Sequence, residues 1–574
     1  SDAIFVYTNA TNALSVVNVG DRVQVTGTVD EFGFSGGLNV TELVNPSIVK
    51  VSTGNPLPGA VEIGNSGTCG TSTRIPPTEV IEDDGFASFD PATDGIDFYE
   101  SLEAMRVCVV NGRVVGPTAL FGSTREIWVV PNNGSWATSS NARGGVTVQP
   151  TDYNPERVQF DNHALLALGL TDLPLVSVGT TFPGAAYGMM HYSFNVFEMV
   201  LSAAAPAADT SSTVTREVTP YVGGGSGYTI ATYNVENLDP GDATFAAHAD
   251  RIVNNLHSPD ILLIQEAQDN NGETNNSTVD ATTTFSMLIT AIQAAGGPTY
   301  SYVQINPVDD ADGGAPGGNI RVGTLYRTDR GITLASGAAG GSTDSTSVVC
   351  TSGVPSMNYA YGRIDPTNPA FSASRKPLVA QFFVNGRAFF IINNHWNSKG
   401  GDNGLFGSVQ PPILSSETQR IQQAQIVRSF VDSLYACDPN VNVVVAGDLN
   451  DFWYSNPVNL LEGSSPTRMY TASEVLVGTA SERYGYVFEG NSQTLDQIVF
   501  SEHISAAFSP AYDAVHINAE FADQTSDHDP SVLYITVPAT SADLSLSKTV
   551  STSGGAPVVV GSPAPQLAPG DTVT

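Results

Sequence analysis

The sequence predicts a layered α/β domain with sheets at its core, preceded by smaller β-rich domains. Three observations carry this. After Tyr228, nearly all-apolar runs of strand length alternate with segments of helical period. Before about residue 205, short runs alternate apolar and polar residues between glycine-rich turns. Between them lies an Ala/Ser/Thr/Pro-rich stretch ending in Gly223-Gly224-Gly225-Ser226-Gly227, which reads as a flexible linker over 206–227.

With 574 residues the chain is too long for one hydrophobic core, and three or four units are expected. Residues 1–60 contain Asp21-Arg22-Val23-Gln24-Val25-Thr26-Gly27-Thr28-Val29, with a period of two, and a second strand at Leu38-Asn39-Val40-Thr41-Glu42-Leu43. Short strands and glycine-rich turns predict a small barrel, similar to an oligonucleotide/oligosaccharide-binding (OB) barrel lacking its first strand. Few basic residues are available there to track a backbone, so a structural role is favoured. Residues 85–205 repeat the character at Met105-Arg106-Val107-Cys108-Val109-Val110, Glu126-Ile127-Trp128-Val129-Val130 and Phe194-Asn195-Val196-Phe197-Glu198-Met199-Val200, a second β-rich domain. In 228–538, strands are predicted at 229–233, 261–265, 389–392 and 441–446, and helices over 243–256, 283–295 and 416–435. Ala542-Asp543-Leu544-Ser545-Leu546-Ser547-Lys548 opens a further strand, read as the start of an immunoglobulin-like repeat over 541–574. Both ends read as cut from a longer chain. No signal peptide stands at the start, and no run of about 18 apolar residues predicts a membrane span.

The net charge is −34, only 14% of residues are charged, and the lysines are Lys50, Lys376, Lys399 and Lys548. Such a chain repels nucleic acid at long range, which excludes a binder relying on a broad basic face. It leaves room for an enzyme that neutralises phosphate locally with a metal ion and a few arginines. The four cysteines, Cys69, Cys108, Cys350 and Cys437, lack the CxxC spacing of a zinc site. Their split, two in the N-terminal third and two in the later domain, predicts one disulfide per region and an oxidising compartment rather than four buried thiols.

Six segments place polar, metal-capable residues at or near the ends of apolar strands. They are Thr232-Tyr233-Asn234-Val235-Glu236-Asn237, Leu263-Ile264-Gln265-Glu266, Asn393-Asn394-His395-Trp396, Ala446-Gly447-Asp448-Leu449-Asn450-Asp451, Leu495-Asp496-Gln497-Ile498 and Ser526-Asp527-His528-Asp529. Each alone reads as a solvated strand end or an Asx turn. Together they predict side chains converging over one rim of the sheets. Hydrolysis of a phosphodiester needs an activated water, neutralised charge and a proton for the leaving group. A His/Asp pair, hard carboxylate oxygens and a fork-shaped arginine supply these.

Taken together, the segments resemble the endonuclease/exonuclease/phosphatase superfamily, which includes pancreatic deoxyribonuclease and the apurinic endonucleases. The arrangement resembles bacterial extracellular nucleases that carry small β-barrels before this domain. The resemblance implies a four-layer α/β sandwich, two packed sheets flanked by helices, with the active site at one end. It implies that Asn234, Glu266 and Asp527 bind the metal and that His528 activates the attacking water. It makes Asp496 the carboxylate that fixes the tautomer of His528. It implies that Asp448 and Asn450 position phosphate or water, that His395 is an acid toward the leaving oxygen, and that Arg375 grips a phosphate. Asn319 stands where relatives orient the second histidine, an amide where the pancreatic enzyme has a carboxylate. Arg321 either touches substrate or covers the rim. Lys399, on a glycine-rich loop just past His395, is read as a phosphate contact. Asp309-Asp310-Ala311-Asp312-Gly313 resembles a calcium loop, though an acidic turn is favoured.

The expected protein is thus a secreted or cell-surface, monomeric nuclease using Mg²⁺ or Mn²⁺, with Ca²⁺ as an option, on extracellular DNA and secondarily RNA. The alternatives are a superfamily hydrolase of phospholipid or inositol phosphate, and a non-enzymatic surface or matrix protein with a degenerate domain.

Overall fold

The computed structural model describes residues 3–9, 16–33, 35–315 and 317–539. The expected immunoglobulin-like opening over 541–574 lies outside the described residues.

At the N-terminus, strands Arg22–Gly33 and Asn39–Ser52 form a long antiparallel hairpin, and Phe5–Val6 pairs parallel to the second. An eight-stranded sheet follows, built from strands between Val61–Ile63 and Val196–Leu201. One face of this sheet holds a core that includes Val109, Phe160, Phe182 and Met199. Cys69–Cys108 ties the loop after the first of these strands to strand Arg106–Val114. Inside that loop the buried Glu62 carboxylate accepts the backbone N–H groups of Ser66, Gly67, Thr68 and Cys69, at 2.5, 3.0, 3.0 and 3.3 Å. Four donors on one carboxylate hold its pKa below the ordinary value even though burial opposes this.

From Gly227 onward two sheets stack face to face. The six-stranded sheet runs in the order Tyr300–Gln304, Arg321–Arg327, Ile261–Ala267, Gly227–Leu238, Ser531–Thr536, Ala511–Ala514. The seven-stranded sheet is centred on Arg387–His395, Asn442–Asp448 and Asp496–Ser501. Because side chains alternate faces along a strand, each central strand supplies two cores. Ile230, Leu263, Ile391, Val444 and Ile498 fill the space between the sheets. Ala231, Tyr233, Leu262 and Ile264 face outward onto helices Phe245–Asp250 and Thr282–Ala294. Phe390, Ile392, Val443 and Val445 face the other way, onto helices Glu417–Cys437 and Asn456–Glu462. The domain is the expected four-layer sandwich, helix on sheet on sheet on helix. The long helix buries Ala424, Val427, Val431 and Leu434, one stripe at helical spacing, and its last residue, Cys437, is bonded to Cys350.

The stretch 206–227, expected as a flexible linker, is instead packed. Arg216 lies 4.4 Å over the Phe521 ring and pairs with Asp523 at 2.7 Å. Tyr221 stacks on Tyr534, and Thr219 is buried. Composition reported a segment with little helix or strand preference; the few large or charged residues within it decide its place.

The eight-stranded domain also enters the second one. Its short strand Val146–Thr147 pairs parallel with Asn491–Gln493, which forms a hairpin with Tyr486–Phe488. Asn154 donates to Asn491 Oδ1 at 2.9 Å, and Arg157 donates to the Glu489 carbonyl while lying 5.0 Å over the Trp128 ring. Arg143 pairs with Glu520 at 2.6 Å and Glu217 at 3.0 Å.

Beside this contact, Glu156 is fully buried; its Oε1 accepts from the Thr138 N–H at 3.2 Å and its Oε2 accepts nothing. Burial pushes its pKa up to about 8. A carboxyl whose folded pKa lies above the unfolded value contributes fully below about pH 4.5 and loses that contribution as pH rises through 8. Glu156→Gln keeps the shape and removes the titration. The variant is expected to melt later than the parent at pH 8–9 by on the order of 3 kcal/mol of stability, and to match it near pH 4.5. Parallel melting curves at the two pH values check this.

Candidate active site

His395, Asp448 and Asp496 stand shoulder to shoulder on three neighbouring strands: His395 is the register partner of Asp448, and Asp448 of Asp496. Period two then fixes their direction. They continue the rows Ile391, Val444–Ala446 and Ile498–Phe500, which face the space between the sheets. Where those rows end in polar residues, the inter-sheet core opens into a site. Gly447 makes the approach possible. Its φ is +131°, and a Cβ there would sit 2.0 Å from the Asn394 carbonyl oxygen, which leaves room for glycine alone.

The opposite sheet supplies Asn234 and Glu266. Asn234 continues the inner row of Ile230 and Thr232 along its strand. Glu266 is aimed by an irregularity: the register with Arg321–Arg327 shifts between Ile264 and Ala267, and Glu266 has φ +62°. Asn450 at +51° and Glu236 at +50° are also left-handed. Each such residue costs roughly 1–2 kcal/mol, so the strain is concentrated where the segments meet. Asn234 Nδ2 donates to Glu266 Oε1 at 3.0 Å and reaches Asp448 Oδ2 at 3.3 Å, which joins the two sheets. His395 Nε2 lies 3.7 Å from Glu266 and 3.5 Å from Asp448.

His528 comes from the loop before Ser531–Thr536. Its Nδ1 is bonded to Asp496 Oδ2 at 2.6 Å, and its Nε2 faces Asp448 and Asp527, each at 3.9 Å. The loop is held by Asp529, whose Oδ1 accepts the N–H groups of Ile517, Asn518 and Ala519. Burial opposes a charge on His528, but Asp496, Asp527 and Asp448 outweigh it and raise its pKa well above the ordinary value. Burial raises Asp448 to about 7, with the charges of Asp496 and Glu266 adding to it against that of His528. His395 is the opposite case. Burial, then Arg375 and His528, hold it well below the usual histidine range, so its ring is neutral near pH 7.

The donor set fits a hard divalent cation. Glu266, His395 and Asp448 offer ligand atoms within 4.8 Å of one another, as do Asp448, Asp496 and His528. The surplus of carboxylates over cations at the rim points the same way.

Residues 354–531 match the Endonuclease/Exonuclease/phosphatase family. The matched residues lie within the second domain. Residues 68–211 match a domain of unknown function, DUF8508. No curated protein matches the chain. Among solved structures, the chain is similar to a humanized D. rerio TDP2 carrying 14 mutations, at 17% identity over 54% of this chain and 99% of that one, with a TM-score of 0.34. It is similar to an endonuclease/exonuclease/phosphatase from Bacteroides vulgatus (14% identity, 54% and 99% covered, TM-score 0.34). A mannosyl-6-phosphatase from Bacteroides thetaiotaomicron gives 16% identity, 54% and 99% coverage, and a TM-score of 0.32.

Not every expected residue lies in the pocket. Asn319 does not touch His395. Its Nδ2 is spent on Asp269, Thr278 and Asp309, and His395 Nδ1 has no partner. Arg321 is 1% exposed and donates to the Val279 and Asn319 carbonyls and the Asn306 side chain, so it braces a strand end rather than meeting substrate. Arg375 is also sealed, at 5% exposure. It donates to the Trp396 carbonyl at 2.7 Å and acts on Glu266 and Asp448 through its charge, rather than gripping a phosphate. A neutral His395 is not the expected proton donor. The Asp309–Gly313 turn holds no open acidic cluster, since Asp312 is paired internally with Arg363 and Lys376. Asn450 donates its N–H to Asp448 Oδ1 at 2.8 Å and its Nδ2 to the Trp396 carbonyl at 3.1 Å. Lys399 Nζ sits 3.3 Å from Asp451 and 4.5 Å from the Phe452 ring centroid.

Three features escaped the sequence reading. Glu236 is pushed up to about 7 by burial and by Asp527 and Glu266. Tyr486 packs against His528, ring centroids 4.7 Å apart, and its backbone bridges to His528. Phe452, Trp453 and Tyr454 follow Asp451 directly and form an aromatic group, with Arg483 lying 4.4 Å over Trp453. Glu236 lies within the Thr232–Asn237 segment but was given no role there, and the run Phe452-Trp453-Tyr454 was the other signal visible in the sequence.

Proposed function

We propose that this domain hydrolyses phosphodiester bonds of nucleic acid, with DNA as the leading substrate and a divalent cation as cofactor. The observation that carries the reading is the row His395, Asp448, Asp496 with His528 bonded to Asp496, facing Asn234 and Glu266 across the cleft. His528 takes the proton of the attacking water through Nε2 while Asp496 holds its Nδ1–H. Asn450 and neutral His395 orient the phosphoryl oxygens by donating hydrogen bonds. Asn234, Glu266, Asp448 and Asp527 would hold Mg²⁺ or Mn²⁺, with Ca²⁺ as the alternative, and a cation held there would offset the charge that develops on the phosphate. Nucleic acid is favoured over lipid by Phe452, Trp453 and Tyr454 with Lys399 and Arg483 beside them. Aromatic faces next to cations are surfaces on which bases stack. Two disulfides support an oxidising, extracellular setting, and no described helix is long and apolar enough to cross a membrane.

Supercoiled plasmid, linear DNA, RNA, sphingomyelin and inositol phosphates, each with Mg²⁺, Mn²⁺ or Ca²⁺ and with chelator, form the test. Cation-dependent nicking of plasmid, abolished by chelator and by Asp448→Asn, is expected. Absence of DNA cleavage with every cation, or cleavage that survives Asp448→Asn, refutes the reading; turnover of a lipid or inositol arm alone replaces it.

A further inference from the structure

Away from the catalytic cleft, three carboxylates of the eight-stranded domain meet with no counter-charge among the described residues. Glu82, Asp94 and Asp97 each place an oxygen within 4.8 Å of the other two. They are 9%, 1% and 4% exposed. Asp94 stands at the entrance of helix Gly95–Glu100 but makes no capping bond to it. Its buried Oδ1 and the buried Oε2 of Glu82 accept no hydrogen bond at all. The remaining bonds of the group come from backbone donors: Asp84 and Phe86 N–H to Glu82 Oε1 at 2.9 and 3.2 Å, and Asp90 N–H to Asp97 Oδ2 at 2.5 Å. The charges that act on Asp94 are all negative, those of Asp83, Glu82, Asp97 and Asp84.

An unpartnered carboxylate with two like charges at ligand distance does not stay buried for packing reasons, because a buried anion is stable only when paired or coordinated. We propose that Glu82, Asp94 and Asp97 form a structural calcium site. The ligand chemistry selects the ion. All donors are carboxylate oxygens, which suits a hard cation and disfavours zinc or copper. Little solvent reaches the group, whereas Mg²⁺ keeps several waters and demands a regular octahedron; Ca²⁺ accepts irregular, water-poor oxygen shells. The ion would anchor the segment that leads into helix Gly95–Glu100, whose Phe98 and Tyr99 lie in the domain core. Tyr99 in turn donates toward the carbonyls of Pro155 and Arg157, at 2.9 and 3.0 Å.

Calorimetric titration of the full chain with CaCl₂ and with MgCl₂, together with melting curves in CaCl₂ or EGTA, tests the site. The proteins compared are wild type, Asp94→Asn, Asp97→Asn and the cleft variant Asp448→Asn. A Ca²⁺-binding event that persists in Asp448→Asn, where the cleft is disabled, should weaken at least about tenfold in Asp94→Asn. In EGTA the Asp94→Asn protein should melt above wild type, since one repelling charge is gone. In ~10 mM Ca²⁺ the order should reverse, with the wild-type midpoint raised by roughly 5 °C. A variant that merely folds badly cannot produce that crossing, and Asp97→Asn supplies the same comparison if Asp94→Asn does not fold. Unchanged Ca²⁺ binding in both variants, no shift of the wild-type midpoint, or an equal response to Mg²⁺ overturns the proposal.

Discussion

Replacing His528 by alanine is expected to slow cation-dependent phosphodiester cleavage by about 10³-fold, within the range a positioned general base supplies, while the melting temperature stays near that of the parent. The ring has no substitute: Nδ1 is committed to Asp496 at 2.6 Å, and Nε2 faces the carboxylate side of the cleft. Asp496→Asn is a sharper probe. The amide keeps the size but removes the charge that holds the imidazole in one tautomer, and a loss of about a hundredfold is expected. The sign of its pH effect follows from the electrostatics. Against the effect of burial, the Asp496 charge contributes to raising the pKa of His528. Removing that charge lowers the pKa, so the neutral, proton-accepting ring persists to lower pH. The acidic limb of the pH–rate profile should therefore move down in Asp496→Asn relative to the parent. Initial rates on plasmid from pH 5 to 9 at saturating Mg²⁺ measure both quantities. A His528→Ala protein within threefold of the parent rate would remove His528 from the mechanism.

Asp312→Asn is expected to cost about 3–5 kcal/mol of stability, the usual result of stranding buried charge. Asp312 is 1% exposed on its side chain and holds Arg363 at 2.8 Å and Lys376 at 2.8 Å, themselves 4% and 7% exposed. Neutralising it leaves two cations out of water facing carbonyl oxygens, of Ile305 and Ser342 for Arg363 and of Ala311 and Ser374 for Lys376. The damage should spread to the cleft, because Lys376 is the chain neighbour of Arg375, whose charge acts on Glu266 and Asp448. Urea unfolding of Asp312→Asn and of the double variant Asp312→Asn/Lys376→Met gives the test. The double variant should recover a good part of the loss by removing one stranded charge. A single variant as stable as the parent would show that the pairing contributes nothing.

The relation between what the chain reveals in one dimension and what it does in three varies from residue to residue. Hydrophobic period placed the central strands well. The runs at 261–265 and 441–446 are the cores of Ile261–Ala267 and Asn442–Asp448, since a strand buried on both faces must be apolar at nearly every position. The long helix expected over 416–435 is Glu417–Cys437, because its buried stripe repeats every three or four residues. The polar residues that end these runs were legible as a constellation for the same reason: a side chain that continues an inward row has only one place to go.

Side chains off the inward-facing strand rows were not legible. Asn319, Arg321 and Arg375 carry suitable chemistry, but their direction is set by partners 10 to 50 residues away in the chain. Arg321 answers to Val279 and Asn306, and Arg375 to Trp396. The packed stretch 206–227 was misread because composition measures local preference, whereas Arg216 and Tyr221 are held by contacts some 300 residues away. Tyr486 had no signal either, as its place against His528 depends on a hairpin braced by Asn154 and Arg157 of the preceding domain.

By itself, then, the amino-acid order determined which strands are buried, which faces they turn inward and which polar residues stand at their ends, because alternation along a strand is a local property of the backbone. Only the tertiary structure decided which of those polar groups meet. It turned Glu266 inward through a register shift, retired Arg321 and Asn319 to bracing, and brought Tyr486 onto His528 from a hairpin shared with another domain. These outcomes depend on non-local pairings, whose energies are settled by burial and charge across the assembled core rather than by any neighbouring residue in the chain.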